Sequence, residues 1–281
     1  MITSKSFTLS RRTFVGGALG VITAGLRMPR QAGAFQGTSV SAQLNTVKAL
    51  VFDVFGTVVD WRTSVAAQVE ELAKQKGVKV DGAAFADAWR AQYGPSMNRV
   101  RTGELPWTTL DRLHRASLDH LLPEFGLSGL SEAETISLNK AWHRLHPWPD
   151  AVQGLTRLKR RFIIAPLSNG NISLMTDMAK YAGLPWDCIL GAELARHYKP
   201  DPEVYQSAAD FLELRPNEVM MVAAHLGDLR GAKAVGLRTA FVARPDEYGH
   251  GPNSRKPDLA ADDSVDVSAR DFGQLATQLR V

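Results

Sequence analysis

The chain has a single cysteine, Cys188, in 281 residues. That excludes an internal disulfide and any cysteine-rich metal cluster. Cys188 stands in the apolar run Cys188-Ile189-Leu190 and reads as a buried structural thiol. No apolar stretch approaches the roughly 20 residues that a membrane-spanning helix requires, and there is neither an internal repeat nor a low-complexity tract. Acidic residues are missing from the first 34 positions, which carry five basic ones: Lys5, Arg11, Arg12, Arg27 and Arg30. The formal net charge is +4, and +4 less 5 leaves −1 for the rest of the chain. The apparent basicity therefore belongs to the N-terminus, and nothing recommends nucleic acid or an acidic membrane as partner.

What the N-terminus does contain is ordered. A polar basic head leads to Ser10-Arg11-Arg12-Thr13-Phe14-Val15, an eleven-residue apolar stretch from Gly16 to Leu26, and Ala32-Gly33-Ala34. The order is that of a twin-arginine signal peptide over residues 1–34, with a mature start near Phe35. The competing reading, an amphipathic N-terminal helix, is disfavoured by its glycines and its lack of acidic residues. The expectation is export of the folded protein to a bacterial periplasm, with no stable membrane insertion once the leader is cleaved.

The remainder has a globular composition, the whole chain being 44% apolar and 22% charged. Apolar runs at Ala49–Asp53, Phe162–Ser168, Cys188–Ala192, Val219–Ala224 and Thr239–Val242, with a weaker one at Val265–Val267, alternate with helical patterns. That alternation predicts an α/β fold, a Rossmann-like doubly wound parallel sheet covered on both faces. More than 100 residues without such a run separate the first two. Within that gap Phe85, Trp89 and Tyr93 recur at four-residue spacing, Leu110, Leu113, Leu118 and Leu121 follow, and Leu138, Trp142 and Leu145 form a third stripe. The pattern predicts a helical cap over 62–146 inserted into a core formed by 46–61 and 147–281. Tyr248 to Asp263, rich in Gly, Pro, Asn and charge, reads as a surface loop.

Ligands of an open parallel sheet sit at the carboxyl ends of its strands. Asp53, Ser168-Asn169 and the segment from Ala224 to Asp228 all fall at such ends. Asp53 is a candidate nucleophile, metal ligand or helix N-cap. The residues after it, Phe55-Gly56-Thr57-Val58-Val59, are turn-like and β-branched, which argues against the cap.

The stretches "FDVFGTVVD", "LSNG" at Leu167–Gly170, "YKPDPEVY" at Tyr198–Tyr205 and "MVAAHLGDLRGAKAVGL" at Met221–Leu237 together resemble the haloacid dehalogenase-like superfamily, and within it the type II (S)-2-haloacid dehalogenases. The resemblance covers residues 47–280. It implies a Rossmann-like core with an inserted helical cap, commonly a homodimer, acting on a small halogenated carboxylic acid. It also implies that Asp53 attacks C2 of the haloacid with inversion and expels halide. Water would then hydrolyse the ester to the (R)-2-hydroxyacid. By the same resemblance Arg90 faces the leaving halide, Ser168 and Asn169 hold the substrate, and Thr57 hydrogen-bonds near the nucleophile. Lys199 keeps Asp53 ionised; Tyr205 and Asp228 complete the site. Asp60 matches an acidic position to which no role is assigned.

Two departures bear on the chemistry. Phosphatases of the superfamily carry an aspartate two positions after the nucleophile and an acidic pair four residues apart in the last motif, where this chain has Phe55 and Ala224. A hard Mg²⁺ ion finds no oxygen ligand on either side chain, so the expectation is a reaction without metal or other cofactor. The type II pattern also has serine, asparagine and an aromatic residue where this chain has Ala223, His225 and Gly227. An imidazole titrates near neutrality, so His225 reads as the general base for ester hydrolysis, sharing the water with Asp228, or else as a histidine satisfied in the core. Gly227 is expected to widen the pocket. The alternatives are another hydrolase of the superfamily, phosphatase-like or of altered substrate, and a catalytically inactive protein that binds a small carboxylate.

Overall fold

Leu50 and Phe52 of the first strand pack into one apolar cluster, while Ala49 and Val51 pack into a second one behind them. A strand with both faces covered needs apolar residues in a continuous run rather than in alternation, and β1 (Ala49–Phe52) is wholly buried. The structure, a computed structural model, describes residues 44–251 and 254–281. The expected leader lies outside the described residues.

After β1 come β2 (Val59–Asp60), β3 (His146–Pro147), β4 (Ile163–Ser168), β5 (Leu190–Gly191), β6 (Val219–Ala223), β7 (Arg238–Val242) and β8 (Val267–Ala269). The main sheet runs in the order β5-β4-β1-β6-β7-β8, and all its pairs are parallel. β1 pairs with β4 on one side and β6 on the other, so the connections leave it in opposite directions. This is the switch point at which a crevice opens beyond the strand ends. Helices Ala151–Lys159, Ile172–Ala182 and Phe272–Gln278 cover one face; Pro202–Phe211 and Leu226–Ala234 cover the other.

The short ribbon of β2 and β3, antiparallel with Asp60 opposite His146, is the neck of the helical insertion. Beyond it lie helices Trp61–Gln75, Gly82–Ala91, Tyr93–Arg101, Leu110–Glu124 and Glu132–Asn139. Asp60 caps the first of these by accepting from the Thr63 amide at 3.0 Å, a structural use for a carboxylate that had none assigned. His143 ties the insertion to the core: its Nδ1 lies 2.8 Å from Asp177 and its Nε2 3.0 Å from Asp111.

Several boundaries differ from expectation for local reasons. The Phe85-Trp89-Tyr93 stripe does not lie on one helix, because the chain breaks at Gln92 and Tyr93 opens the next. Leu138, Trp142 and Leu145 pass from a helix through a 3-10 turn. The run Cys188–Ala192 shortens to β5 at Leu190–Gly191, since Asp187 turns to accept from the Ile164 amide and Ala192 starts a helix. The last strand begins at Val267 because the Asp266 carboxylate is bound by the Thr239 amide and Lys233. Cys188 is half-buried rather than buried. Tyr248 is buried against Trp61 and does not belong to a surface loop.

Candidate active site

Asp53 follows directly on β1, and its amide continues the ladder to the Val222 carbonyl at 3.0 Å. The side chain therefore emerges at the carboxyl end of the central strand. The chain then turns through Gly56, whose φ of +86° is left-handed, and a Cβ there would collide with the Glu247 carboxylate. The turn returns the Thr57 hydroxyl to Asp53 Oδ2 at 2.7 Å, and the same hydroxyl accepts from the Ala224 amide at 2.9 Å. Thr57 thus joins the first and last motifs of the site.

Asp53 is 8% exposed, and both oxygens are occupied. Lys199 Nζ donates to Oδ1 at 3.0 Å; His225 Nδ1 lies 2.9 Å from Oδ2 beside the Thr57 hydroxyl. Lys199 also reaches Asp228 Oδ2 at 2.5 Å, and Tyr205 donates to Asp228 Oδ1 at 2.6 Å. His225 Nε2 meets Glu247 at 2.9 Å, and Trp61 donates to the same carboxylate at 3.2 Å. Glu247, His225, Asp53, Lys199 and Asp228 form one hydrogen-bonded row in which acidic and basic groups alternate.

The alternation sets the protonation states. Burial alone would raise Asp53, but Lys199, His225 and Thr57 outweigh it and hold the carboxyl well below the usual range. Burial disfavours a charged Lys199, yet Asp228 and Asp53 on either side raise it above the ordinary lysine range. Burial pushes Asp228 up while the Lys199 ammonium and the Tyr205 hydroxyl pull against it. His225 loses solvation too, but hydrogen bonds to Asp53 and Glu247 lift it to about 10.

This bears on the reading of His225 as a general base. Its two nitrogens face carboxylates, which favours the protonated ring, with no free lone pair, before the ester forms. It also touches Asp53 itself and lines the cavity, which a histidine merely satisfied in the core would not do.

Arg90, on the helix Gly82–Ala91, lies with its guanidinium 3.9 Å from the centre of the Tyr93 ring, with Trp61 and Phe55 at 5.5 and 5.9 Å. A weakly hydrated cation tolerates such an aromatic enclosure. Among the described residues its buried Nη1 has no hydrogen-bond partner. Arg90, Asp53, Asn169, Lys199, His225 and Asp228 line a cavity of about 620 Å³. Asn169 Oδ1 accepts from the Lys199 amide at 2.8 Å, which sets the lysine's backbone. Ser168, like Thr57, is an expected residue that stands outside the cavity lining. It is fully buried at the end of β4, and its Oγ accepts from the Gly170 amide at 3.0 Å.

Glu247 is absent from the sequence-based set. It is 1% exposed, yet it lies in Arg244-Pro245-Asp246-Glu247, which shows no periodicity. The one available signal was its place just beyond β7, on the same rim as the other site residues.

The donor set does not suit a divalent cation. All four oxygens of Asp53 and Asp228 are engaged by protonated or hydroxyl donors; Phe55 is packed among aromatic rings, and Ala224 presents only its backbone. Mg²⁺ demands oxygen ligands in octahedral array.

Comparison with known proteins fits this arrangement. Residues 47–236 match the family model of the haloacid dehalogenase-like hydrolases. The chain belongs to that family. Among curated relatives, this hydrolase is 33% identical over 216 residues to (S)-2-haloacid dehalogenase 1 of Pseudomonas sp. strain CBS-3, covering 74% of the present chain and 91% of the relative. Among solved structures, a defluorinating L-2-haloacid dehalogenase is 51% identical with a TM-score of 0.80, covering 84% of the hydrolase and 96% of that chain. Another L-2-haloacid dehalogenase is 50% identical with a TM-score of 0.77, covering 83% and 99%.

Proposed function

We propose that this hydrolase converts (S)-2-haloacids to (R)-2-hydroxyacids through an ester on Asp53, without a metal. The observation that carries the reading is an ionised carboxylate facing a cavity also lined by Arg90, whose Nη1 has no partner. Asp53 Oδ1 has one donor and Oδ2 has two, so Oδ1 is the less encumbered nucleophile. It attacks C2 from the side opposite the halogen; the C–X bond breaks as the C–O bond forms, and the halide departs toward Arg90. In-line displacement depends on holding reacting atoms about 3–3.5 Å apart in a water-poor site. The insertion over the rim supplies that enclosure.

Water then attacks Cγ of the ester. Lys199 Nζ, 3.0 Å from Oδ1, is placed to protonate the departing alkoxide, and Asp228, bound to the same ammonium, takes and passes on the water proton. Tyr205 fixes Asp228, and Asn169 fixes the backbone of Lys199. Gly227 lines the cavity with open space where a side chain would begin, which supports 2-haloacids longer than propionate as substrates.

Two measurements test the reading. (S)-2-chloropropionate should release chloride undiminished in excess EDTA; Mg²⁺-dependent phosphate release without chloride would replace it with a phosphatase. In a single turnover in H₂¹⁸O, the heavy oxygen should enter Asp53 and not the hydroxyacid. Label in the first-turnover product would rule out the ester.

We also infer export by the twin-arginine route, on the strength of Arg11-Arg12, the apolar stretch and Ala32-Gly33-Ala34. A reporter active only after export, fused to residues 1–40, should become active. Cytoplasmic retention of the fusion would refute it.

A further inference from the structure

The row of alternating charges contains a cation that the displacement step does not use. If Oδ1 becomes the ester oxygen, Oδ2 becomes the carbonyl oxygen. It would then stand 2.9 Å from His225 Nδ1 and 2.7 Å from the Thr57 hydroxyl. These are the distances at which donors stabilise the oxyanion of a tetrahedral intermediate.

We propose that His225 acts in ester hydrolysis as an electrophile, an imidazolium that polarises the Asp53 ester carbonyl, and that Glu247 is the positioning residue that keeps it protonated and aimed. The inference rests on the dehalogenase reading above and names the group that drives its second step.

Water adds to Cγ and the carbonyl π pair moves to Oδ2, where the His225 and Thr57 protons hold the negative charge. One water proton passes to Asp228 and on through Lys199. The pair on Oδ2 returns, the Cγ–Oδ1 bond breaks, and the alkoxide takes that proton to give the hydroxyacid. The other water proton leaves Asp53 for solvent as the carboxylate re-forms. His225 keeps both N–H bonds throughout.

Alkylation removes the negative charge beside Nδ1 just when a base would have to lose its proton. Glu247 then becomes the anion that decides. It is 1% exposed, bound to His225 Nε2 at 2.9 and 3.1 Å and to Trp61 at 3.2 Å, and burial fails to neutralise it because His225 and Arg90 hold it ionised. Gly56 makes room for the Glu247 carboxylate. The charged and titratable groups around His225 are Asp53 and Glu247 in contact, Lys199 and Asp228 beyond Asp53, Arg90 and Tyr248 beside Glu247, and Asp258, which accepts from the neighbouring Leu226 amide at 2.8 Å. In the ester state Glu247 is the carboxylate left in contact with the ring.

The experiment is a single turnover of (S)-2-chloropropionate with enzyme in excess, followed across pH. Chloride reports alkylation, hydroxyacid reports hydrolysis, and intact mass reports the ester. An electrophile must be protonated, so hydrolysis should fall as pH rises through the His225 pKa of the ester form. Glu247→Gln should move that fall to lower pH by a unit or more and slow ester decay about tenfold or more, while the chloride burst persists. His225→Ala should slow ester decay on the order of 10²–10³, the usual loss for one oxyanion donor. His225→Asn, which keeps a neutral N–H for Oδ2, should fall between His225→Ala and wild type, and it provides the test even if the Glu247 variant fails to fold. Hydrolysis that rises through the same inflection, or equal ester decay in His225→Asn and His225→Ala, would overturn the electrophile and favour a base or a bystander. A wild-type enzyme that shows neither chloride burst nor ester mass would overturn the dehalogenase reading and this inference with it.

Discussion

Asp53→Asn loses chloride release by a factor on the order of 10⁴–10⁶, the range seen when an enzyme's nucleophile is removed. The amide of asparagine does not displace a halide, so no ester mass should form, however long the incubation. Binding should respond in the opposite direction. The substrate carries its own carboxylate, and Asp53 is an ionised neighbour at the cavity wall; neutralising it removes a like-charge repulsion while Arg90 and Lys199 remain. The haloacid should therefore bind the variant severalfold more tightly, read as a larger ligand-induced rise in Tm. Turnover within tenfold of wild type, or loss of binding together with activity, would show that Asp53 holds the site's shape rather than doing its chemistry.

Lys199→Met is expected to be nearly as severe, for a different reason. Lys199 is 8% exposed and lies between two carboxylates, at 3.0 Å from Asp53 and 2.5 Å from Asp228. Methionine preserves much of the volume and removes the charge. Breaking a buried ion pair from one side costs about 3–5 kcal/mol, and the remaining carboxylates relieve part of that by taking up a proton. The carboxyl of Asp53 then loses the chief attraction that keeps it ionised against burial, so its pKa rises. Steady-state chloride release at neutral pH should fall on the order of 10²–10⁴, because a protonated Asp53 cannot displace halide and the alkoxide leaving the ester loses its proton donor. The sign of the pH effect follows. Wild-type alkylation is flat across neutrality because Asp53 is already ionised, whereas in the variant it should climb with pH as Asp53 deprotonates. A flat profile in both proteins would mean that Lys199 acts only after the halide has left.

How much of this was legible in the sequence depends on what each residue owes to its neighbours along the chain. β1 and the Asp53 that follows it were plain, since a strand buried on both faces needs a short continuous apolar run and the carboxylate ends it. The parallel order followed from the alternation of runs and helical patterns. The break at Gln92 was invisible because the spacing of Phe85, Trp89 and Tyr93 suits one helix as well as two. Ser168 sits where expected along the chain, but its hydroxyl turns to the Gly170 amide, and motif position does not specify a side-chain direction. Glu247 was missed because a polar residue in a polar segment carries no periodic signal. It is buried by contacts from Trp61 and His225, which are 186 and 22 positions away. His225 was legible as a residue of the site, but of the two carboxylates that raise its imidazole, Asp53 was seen and Glu247 was not.

Phe55 has a bearing on what the site excludes as well as on its present contacts. Its ring stands edge-on to Tyr93 and Trp142, at 6.2 and 5.7 Å between centroids, and faces the Arg90 guanidinium at 5.9 Å. An aspartate at that position, as the superfamily's phosphatases carry, would set a second carboxylate two residues from Asp53 inside an aromatic enclosure built for a ring. It would leave a void beside Trp142 and have no place to bind a cation, because Ala224 offers no ligand. Phe55→Asp alone is therefore expected to lower Tm without creating a cation site. The aromatic packing works as a lock: it closes the position two residues after Asp53 to a second carboxylate.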